Sequence, residues 1–185
     1  MDNTATLENP TTTQTTLASE AHAPAATVNL LLRREDVRDP LDAMGFVVPS
    51  RERRFLMSTS FISTKYPGRI PEGHVLLRAF VGGARHPQQV ELDDAAIVAG
   101  CLEDLDRLLG IRGAPVRTLV CRWRESMPQY LLGHLDRVAA LEARADAQPG
   151  LWLAGNAYRG VGIPDCIRAG QGAARHALKW LSAKR

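Results

Sequence analysis

The sequence predicts a mixed α/β fold on two observations. Short apolar segments between residues 28 and 81 alternate with Pro and Gly breakers, which is typical of strands in a small, largely antiparallel meander. Longer amphipathic segments at 94–109, 131–147 and 164–183 are predicted helices. Residues 1–26 are rich in Thr and Ala with almost no large apolar side chain, so we expect them to be disordered.

The strands are predicted from apolar runs between turn signals. Pro49-Ser50, Pro67-Gly68 and Pro71-Glu72-Gly73 separate four of them, and a fifth follows the first helix. The charged stretch Arg51-Glu52-Arg53-Arg54 is interpreted as a solvated hairpin tip, with a carboxylate-binding patch as the alternative. The predicted strands are residues 28–32, 46–48, 55–63, 75–81 and 116–123.

The helices are predicted from their caps and apolar stripes. Asp93 is a suitable N-cap and Gly110 a suitable stop for helix 94–109. Its predicted inward residues are Val98, Leu102, Leu105 and Leu109. In helix 131–147 they are Leu135, Val138 and Leu141, and in the last helix Ile167, Ala174, Leu178 and Leu181.

The segment 149–168 indicates a binding site. A Pro-Gly turn precedes a predicted buried strand at 151–154, and a glycine-rich loop leads into the last helix. Pro164 suits the first helical position, and Asp165 complements the positive end of the helix dipole. Because such a helix start attracts negative charge, the local pattern suggests a cofactor cradle.

The same segment carries a family resemblance. Residues 153–167, LAGNAYRGVGIPDCI, closely resemble the C-terminal signature of the FAD-dependent protoporphyrinogen and coproporphyrinogen oxidases of haem biosynthesis. The resemblance covers about residues 27 to 182, in order. Further matching words are RREDV at 33–37, GFVVP at 45–49, YPGR at 66–69, FVGGAR at 80–85, PQY at 128–130 and GHL at 133–135.

The resemblance implies a domain layout and a cofactor. Residues 27–148 would belong to the antiparallel substrate domain, and residues 149–185 would supply the last strand and helix of the FAD domain. Backbone groups of the loop would approach the flavin ring and the ribityl-phosphate region, with porphyrinogen as the substrate. The implied FAD-binding residues are Gly155, Asn156, Gly160, Val161, Gly162, Ile163, Pro164 and Asp165.

No protein residue is implied as catalytic, because the flavin of this family itself accepts the hydride. Met127 and Gln129 are candidate substrate-facing residues by their position in the matched segment. Trp123 and Tyr130 would either stack on flavin or porphyrin or be buried aromatic core.

The G-x-G-x-x-G turn that holds the FAD pyrophosphate in this class does not occur in the sequence. The segment 160–165 has Asp165 where the third glycine belongs. We therefore interpret the chain as the C-terminal portion of such an oxidase and expect the isolated chain to be inactive. The alternatives are a noncatalytic remnant or binding module, and one half of a split enzyme completed by a separate N-terminal flavin-binding half.

Composition excludes several other classes. The net charge of +3 has mixed signs and no basic stripe, which argues against nucleic-acid binding. Cys101, Cys121 and Cys166 are far apart and the histidines are scattered, so we expect neither disulfides nor a metal site. Cys166 is either a reactive thiol or a small buried side chain. No transmembrane segment is predicted, and a cytoplasmic location is expected, with peripheral membrane contact through a partner as the alternative.

Overall fold

Residues 22–129 form one antiparallel five-stranded sheet in a computed structural model that describes residues 22–184. The strand order is β2-β3-β4-β1-β5, so the meander is confirmed for β2 to β4 alone. The long strand β1 lies between β4 and β5, where both of its edges find hydrogen-bond partners. The strands are β1 (His22–Arg33), β2 (Gly45–Val47), β3 (Ser58–Phe61), β4 (His74–Gly82) and β5 (Arg117–Pro128).

Strand β1 begins earlier than the sequence indicates. The expected disordered tail extended to residue 26, whereas His22 already pairs with Pro128 and Ala25 pairs with Gly82 and Trp123. Small alanines suit this position because the sheet buries them and their backbone groups bond to two flanking strands. The rest of the expected tail, residues 1–21, lies outside the described residues.

Two predicted boundaries also shift. The predicted strand 55–63 is shorter, because β3 ends at Phe61 and a single helical turn, α1 (Ile62–Lys65), follows it. The predicted strand 116–123 is longer, because the pairing of β5 with β1 continues to Pro128.

The core lies between one sheet face and α2 (Asp94–Leu109). Asp93 caps this helix by accepting a hydrogen bond from the N–H of Ala96 at 2.7 Å, and Gly110 ends it in the left-handed conformation, as predicted. Of the four residues predicted to face inward, Leu105 and Leu109 are buried, whereas Val98 and Leu102 are only partly buried at the edge of the core. The fully buried side chains of the core include Val28, Leu30, Leu32, Leu77, Val81, Ile97, Cys101 and Leu105.

The Cys101 thiol gives stability a pH dependence. Burial, with the Asp104 carboxylate as a second cause, raises the pKa of Cys101 from 9.0 to about 12. Above pH 9 the unfolded chain therefore loses this proton while the folded chain keeps it, and stability falls as pH rises toward 12. We expect the free energy of unfolding to fall by about 1.4 kcal/mol per pH unit more steeply than in Cys101→Ala. Urea titrations between about pH 9 and 11 measure this, and parallel pH profiles would contradict it.

The second unit comprises residues 130–184 of the described chain, with α3 (His134–Asp146) and α4 (Ile163–Ser182). Helix α3 belongs to the same compact unit as the C-terminal segment. The domain boundary expected at residue 149 stays a prediction. Gly133 in the left-handed conformation delays the start of α3. Val138 is buried as predicted, whereas Leu135 is 63% exposed, and His134 and Ala145 are buried instead.

The predicted strand at 151–154 is wrong for the structure as described. These residues form no sheet, because no other strand of residues 22–184 pairs with their backbone groups. The predicted apolar face of α4 is likewise uncovered, with Ile167, Leu178 and Leu181 each more than half exposed. No described helix is both long and apolar enough to span a membrane.

Candidate cofactor site at the C-terminal glycine-rich loop

The loop that precedes α4 depends on two glycines with positive φ. Gly155 has φ of 133° and Gly160 has φ of 150°, conformations that other residues rarely adopt. A Cβ on Gly160 would lie 2.5 Å from Cγ of Asp165, so the loop passes close over the first turn of the helix. The glycine pattern thus allows the chain to fold tightly onto the start of α4.

Tyr130 fixes this loop from outside it. Its hydroxyl donates to the carbonyl of Asn156 at 2.6 Å and accepts from the N–H of Gly160 at 3.0 Å. Its ring stacks on His134 with centroids 3.9 Å apart, and Nε2 of His134 lies 2.6 Å from the carbonyl of Tyr158. Tyr130 is 41% exposed, so the prediction that its ring is buried aromatic core is wrong.

Removal of the Tyr130 hydroxyl should loosen the loop without unfolding the unit. Tyr130→Phe keeps the ring that stacks on His134 but removes two hydrogen bonds, each worth about 1 kcal/mol. We expect amide hydrogen exchange at Gly160 to accelerate about tenfold, while the Val138 amide on α3 keeps its rate. Equal rates at Gly160 in both proteins would show that the hydroxyl does not hold the loop.

An ion pair ties the same loop to α3. Arg159 donates from Nε to Oε1 of Glu142 at 2.8 Å, and a second hydrogen bond joins Nη2 to Oε2. This bidentate hydrogen bonding lowers the pKa of Glu142 and raises the pKa of Arg159. The two parallel hydrogen bonds to Glu142 fix the orientation of the Arg159 guanidinium and restrict its rotation.

Unpaired donors lie where the loop becomes helix. Among the described residues, no acceptor is hydrogen-bonded to the N–H groups of Val161, Gly162 or Ile163. The carbonyl of Gly162 is already used, because it accepts from the N–H groups of Asp165 and Cys166, each at 3.0 Å. Three free donors at the positive end of a 20-residue helix suit a ligand with electron-rich oxygen or nitrogen atoms. The donor set therefore fits the edge of a flavin ring.

A cavity of about 320 Å³ lies within this unit, beside the loop. Three of the eight predicted site residues line it, namely Gly155, Gly160 and Asp165. Several lining residues were not predicted, because Glu142, Asp146 and His176 come from α3 and α4 and approach the loop only through packing. Trp152, Tyr158 and Arg159 lie within the segment 149–168, which the sequence indicated as a binding site.

The other five predicted residues, 156 and 161–164, do not line this cavity. They lie on the outer side of the loop and at the helix start, where Val161 is 60% and Ile163 77% exposed. Met127 and Gln129 line a separate cavity within residues 22–129, and Trp123 is 55% exposed rather than buried. In the described part of the chain no cluster of side chains could hold a metal ion.

Comparisons with known proteins identify the family of the chain. The family model of flavin containing amine oxidoreductases matches residues 14–178. The chain belongs to this family. It is 43% identical over 141 residues to a coproporphyrinogen III oxidase of Bacillus subtilis, and 27% identical over 165 residues to protoporphyrinogen oxidase 2 of Arabidopsis thaliana. A crystal structure titled as a putative protoporphyrinogen oxidase from Exiguobacterium superposes with a TM-score of 0.76 at 29% identity.

The match covers most of this chain but a minor part of each relative. The match to the Bacillus protein covers 76% of this chain and 30% of that protein. The match to the Arabidopsis protein covers 88% of this chain and 32% of that protein. For the Exiguobacterium structure the shares are 88% and 36%. The chain therefore spans about a third of the length of the relatives it matches.

Proposed function

We propose that this chain forms the C-terminal part of an FAD-dependent oxidase that acts on coproporphyrinogen or protoporphyrinogen. The observation that carries the proposal is the glycine-rich loop at the start of α4, where the N–H groups of residues 161–163 have no acceptor within residues 22–184. The chain is also similar to named coproporphyrinogen and protoporphyrinogen oxidases. The family is a flavin-containing one, and the donors fit a flavin edge.

The residues of the loop have distinct proposed roles. The N–H groups of Val161, Gly162 and Ile163 bind the electron-rich edge of the flavin ring, and the dipole of α4, opening at Pro164 and Asp165, stabilises negative charge there. The backbone of Gly155, Asn156 and Gly160 approaches the ribityl-phosphate part. The chemistry that FAD supplies when bound is acceptance of a hydride from the porphyrinogen, with oxygen as the final acceptor.

We assign a separate role to each compact unit. Residues 130–184 contribute to FAD binding, and the antiparallel sheet of residues 22–129 contributes to substrate binding. The pyrophosphate of FAD is bound by an N-terminal βαβ half of the family fold, on a longer form of this chain or on a separate polypeptide.

A chimera tests the proposal. The part of the Bacillus relative that this chain does not match is placed before residues 22–185 in one polypeptide, and this chimera is purified. We expect bound flavin in the absorption spectrum and oxygen-dependent formation of fluorescent coproporphyrin III from coproporphyrinogen III. The Bacillus part alone is the control and should give neither. A folded chimera that lacks flavin would overturn the proposal and favour the binding-module alternative.

A further inference from the structure

The sheet unit contains a second cavity, of about 400 Å³, which the proposed flavin site does not use. It lies where the 3₁₀ turn Ser50–Glu52, the turn after β4 and the end of β5 come together. Its lining combines apolar residues such as Leu56 and Met57 with three arginines, Arg53, Arg54 and Arg85. No Asp or Glu is part of this lining. We call this cavity the basic recess.

Side chains outside the basic recess hold its walls in place. Gln89 bridges two of them, because its Oε1 accepts from the N–H of Gly82 at 2.9 Å and its Nε2 donates to the carbonyl of Phe55 at 3.2 Å. A Cβ on Gly83 would lie 2.6 Å from Sδ of Met57, so the two walls are in close contact at this point. The recess is therefore built before any ligand arrives.

A buried carboxylate fixes the wall that carries Arg53 and Arg54. Asp104, 5% exposed, accepts from the N–H of Leu56 at 3.1 Å and from Nη1 of Arg54 at 3.4 Å. This pairing neutralises Arg54. Within residues 22–184, neither Arg53 nor Arg85 has an ion-pair partner, although Arg53 also borders a neighbouring pocket that Glu52, Glu103 and Asp104 line.

Arg53 also occupies a costly backbone conformation. Its φ is 49° and its ψ 38°, in the left-handed region where glycine is favoured. Strained non-glycine residues of this kind cluster at ligand sites. An arginine in this backbone conformation, beside Leu56 and Met57, suits a ligand that is apolar in its body and negative at its edge.

We propose that the basic recess binds a carboxylate-bearing edge of the tetrapyrrole, with Arg53 and Arg85 as specificity-determining residues. The inference rests on the proposed function, since porphyrinogens carry propionate side chains on an apolar macrocycle. The guanidinium groups bind the carboxylates, and Leu56 and Met57 contact the macrocycle. Met127 and Gln129, which the sequence suggested as substrate-facing, line the same recess.

The test is a fluorescence titration of the full chain with coproporphyrin III, the stable oxidised tetracarboxylate. We expect Arg53→Gly and Arg85→Gln each to weaken binding about tenfold or more, as loss of a charge-assisted hydrogen bond predicts. Arg51→Gln is the matched control, because Arg51 lies on the same turn with an 85% exposed side chain and does not line the recess. It should bind within about twofold of the parent chain.

Two further measurements keep the result unambiguous. Arg53→Gly should not lower the melting temperature, because glycine relieves the left-handed backbone. The tetramethyl ester of coproporphyrin should bind the parent chain at least about tenfold more weakly than the free acid does. The ester should bind Arg53→Gly and the parent chain with equal affinity. No saturable binding of the acid, unchanged affinity in both arginine variants, or an equal loss in Arg51→Gln would overturn the proposal.

The two proposals fail separately. Suppose that coproporphyrin III binds in an arginine-dependent way and that the folded chimera contains no flavin. This result would support the proposal for the basic recess and contradict the oxidase proposal. Suppose instead that the chimera is active and flavin-loaded, and that its KM for coproporphyrinogen III is unchanged in Arg53→Gly and Arg85→Gln. This result would support the oxidase proposal and contradict the proposal for the basic recess.

Discussion

Alanine in place of Gly160 should abolish retention of FAD by the chimera. The substitution places a Cβ 2.5 Å from Cγ of Asp165 at a φ of 150°, so the loop and the first turn of α4 must separate. The backbone strain amounts to about 1–3 kcal/mol. Displacement of the free N–H donors from their positions adds a loss of affinity of at least about tenfold. Flavin absorbance per protein after gel filtration measures the effect.

Gly73→Ala is the control for this experiment. Gly73 also has positive φ, at 72°, but a Cβ there would meet nothing within 4 Å, and the residue lies in the sheet unit. It carries backbone strain without a clash, so the chimera with Gly73→Ala should keep its flavin. Full flavin content in Gly160→Ala would mean that the loop is not part of the cofactor site.

The chain alone should bind FAD at least about a hundredfold more weakly than the chimera does. The loop supplies donors for one edge of the flavin, whereas the family's βαβ half supplies the pyrophosphate contacts. Quenching of flavin fluorescence on titration measures both affinities. Stoichiometric binding of FAD by the isolated chain at submicromolar concentration would contradict this expectation.

Replacement of Asp104 by alanine should destabilise the sheet unit by about 2–4 kcal/mol. The change leaves the buried N–H of Leu56 without its acceptor and the guanidinium of Arg54 without its partner. Asp104→Asn keeps an oxygen acceptor for the N–H and should cost less. Urea unfolding at neutral pH, followed by circular dichroism, gives the free energies.

Asp106→Ala is the matched control on the same helix. Asp106 is exposed and takes part in α2 through its backbone carbonyl, which accepts from the N–H of Gly110. Its substitution should change stability by less than about 0.5 kcal/mol. If Asp104→Ala and Asp106→Ala unfold at the same urea concentration, the buried carboxylate is not what holds the segment 54–56 to α2.

The sequence by itself determined the features that depend on neighbouring residues. The cap at Asp93 and the stop at Gly110 predicted the bounds of α2, because both act through bonds within a few residues. The glycine-rich segment 153–167 identified the family. It also indicated the start of the last helix, because a helix start depends on residues close to it in sequence. The five strands of the sheet were located by their apolar runs and breakers, although β1 begins six residues earlier and β5 ends five residues later than predicted.

Tertiary structure alone decided what depends on distant partners. Strand β1 extends to His22 and lies in the middle of the sheet because β4 and β5 bond to its two edges, which alanine-rich composition could not indicate. Residues 151–154 are not a strand, because extended apolar residues need a neighbouring strand to pair with. The clamp from Tyr130 to Gly160 and the bond from Asp104 to Leu56 join residues 30 and 48 positions apart. Since side chains so far apart meet only when the chain packs, their partners are a property of the fold and not of any local pattern.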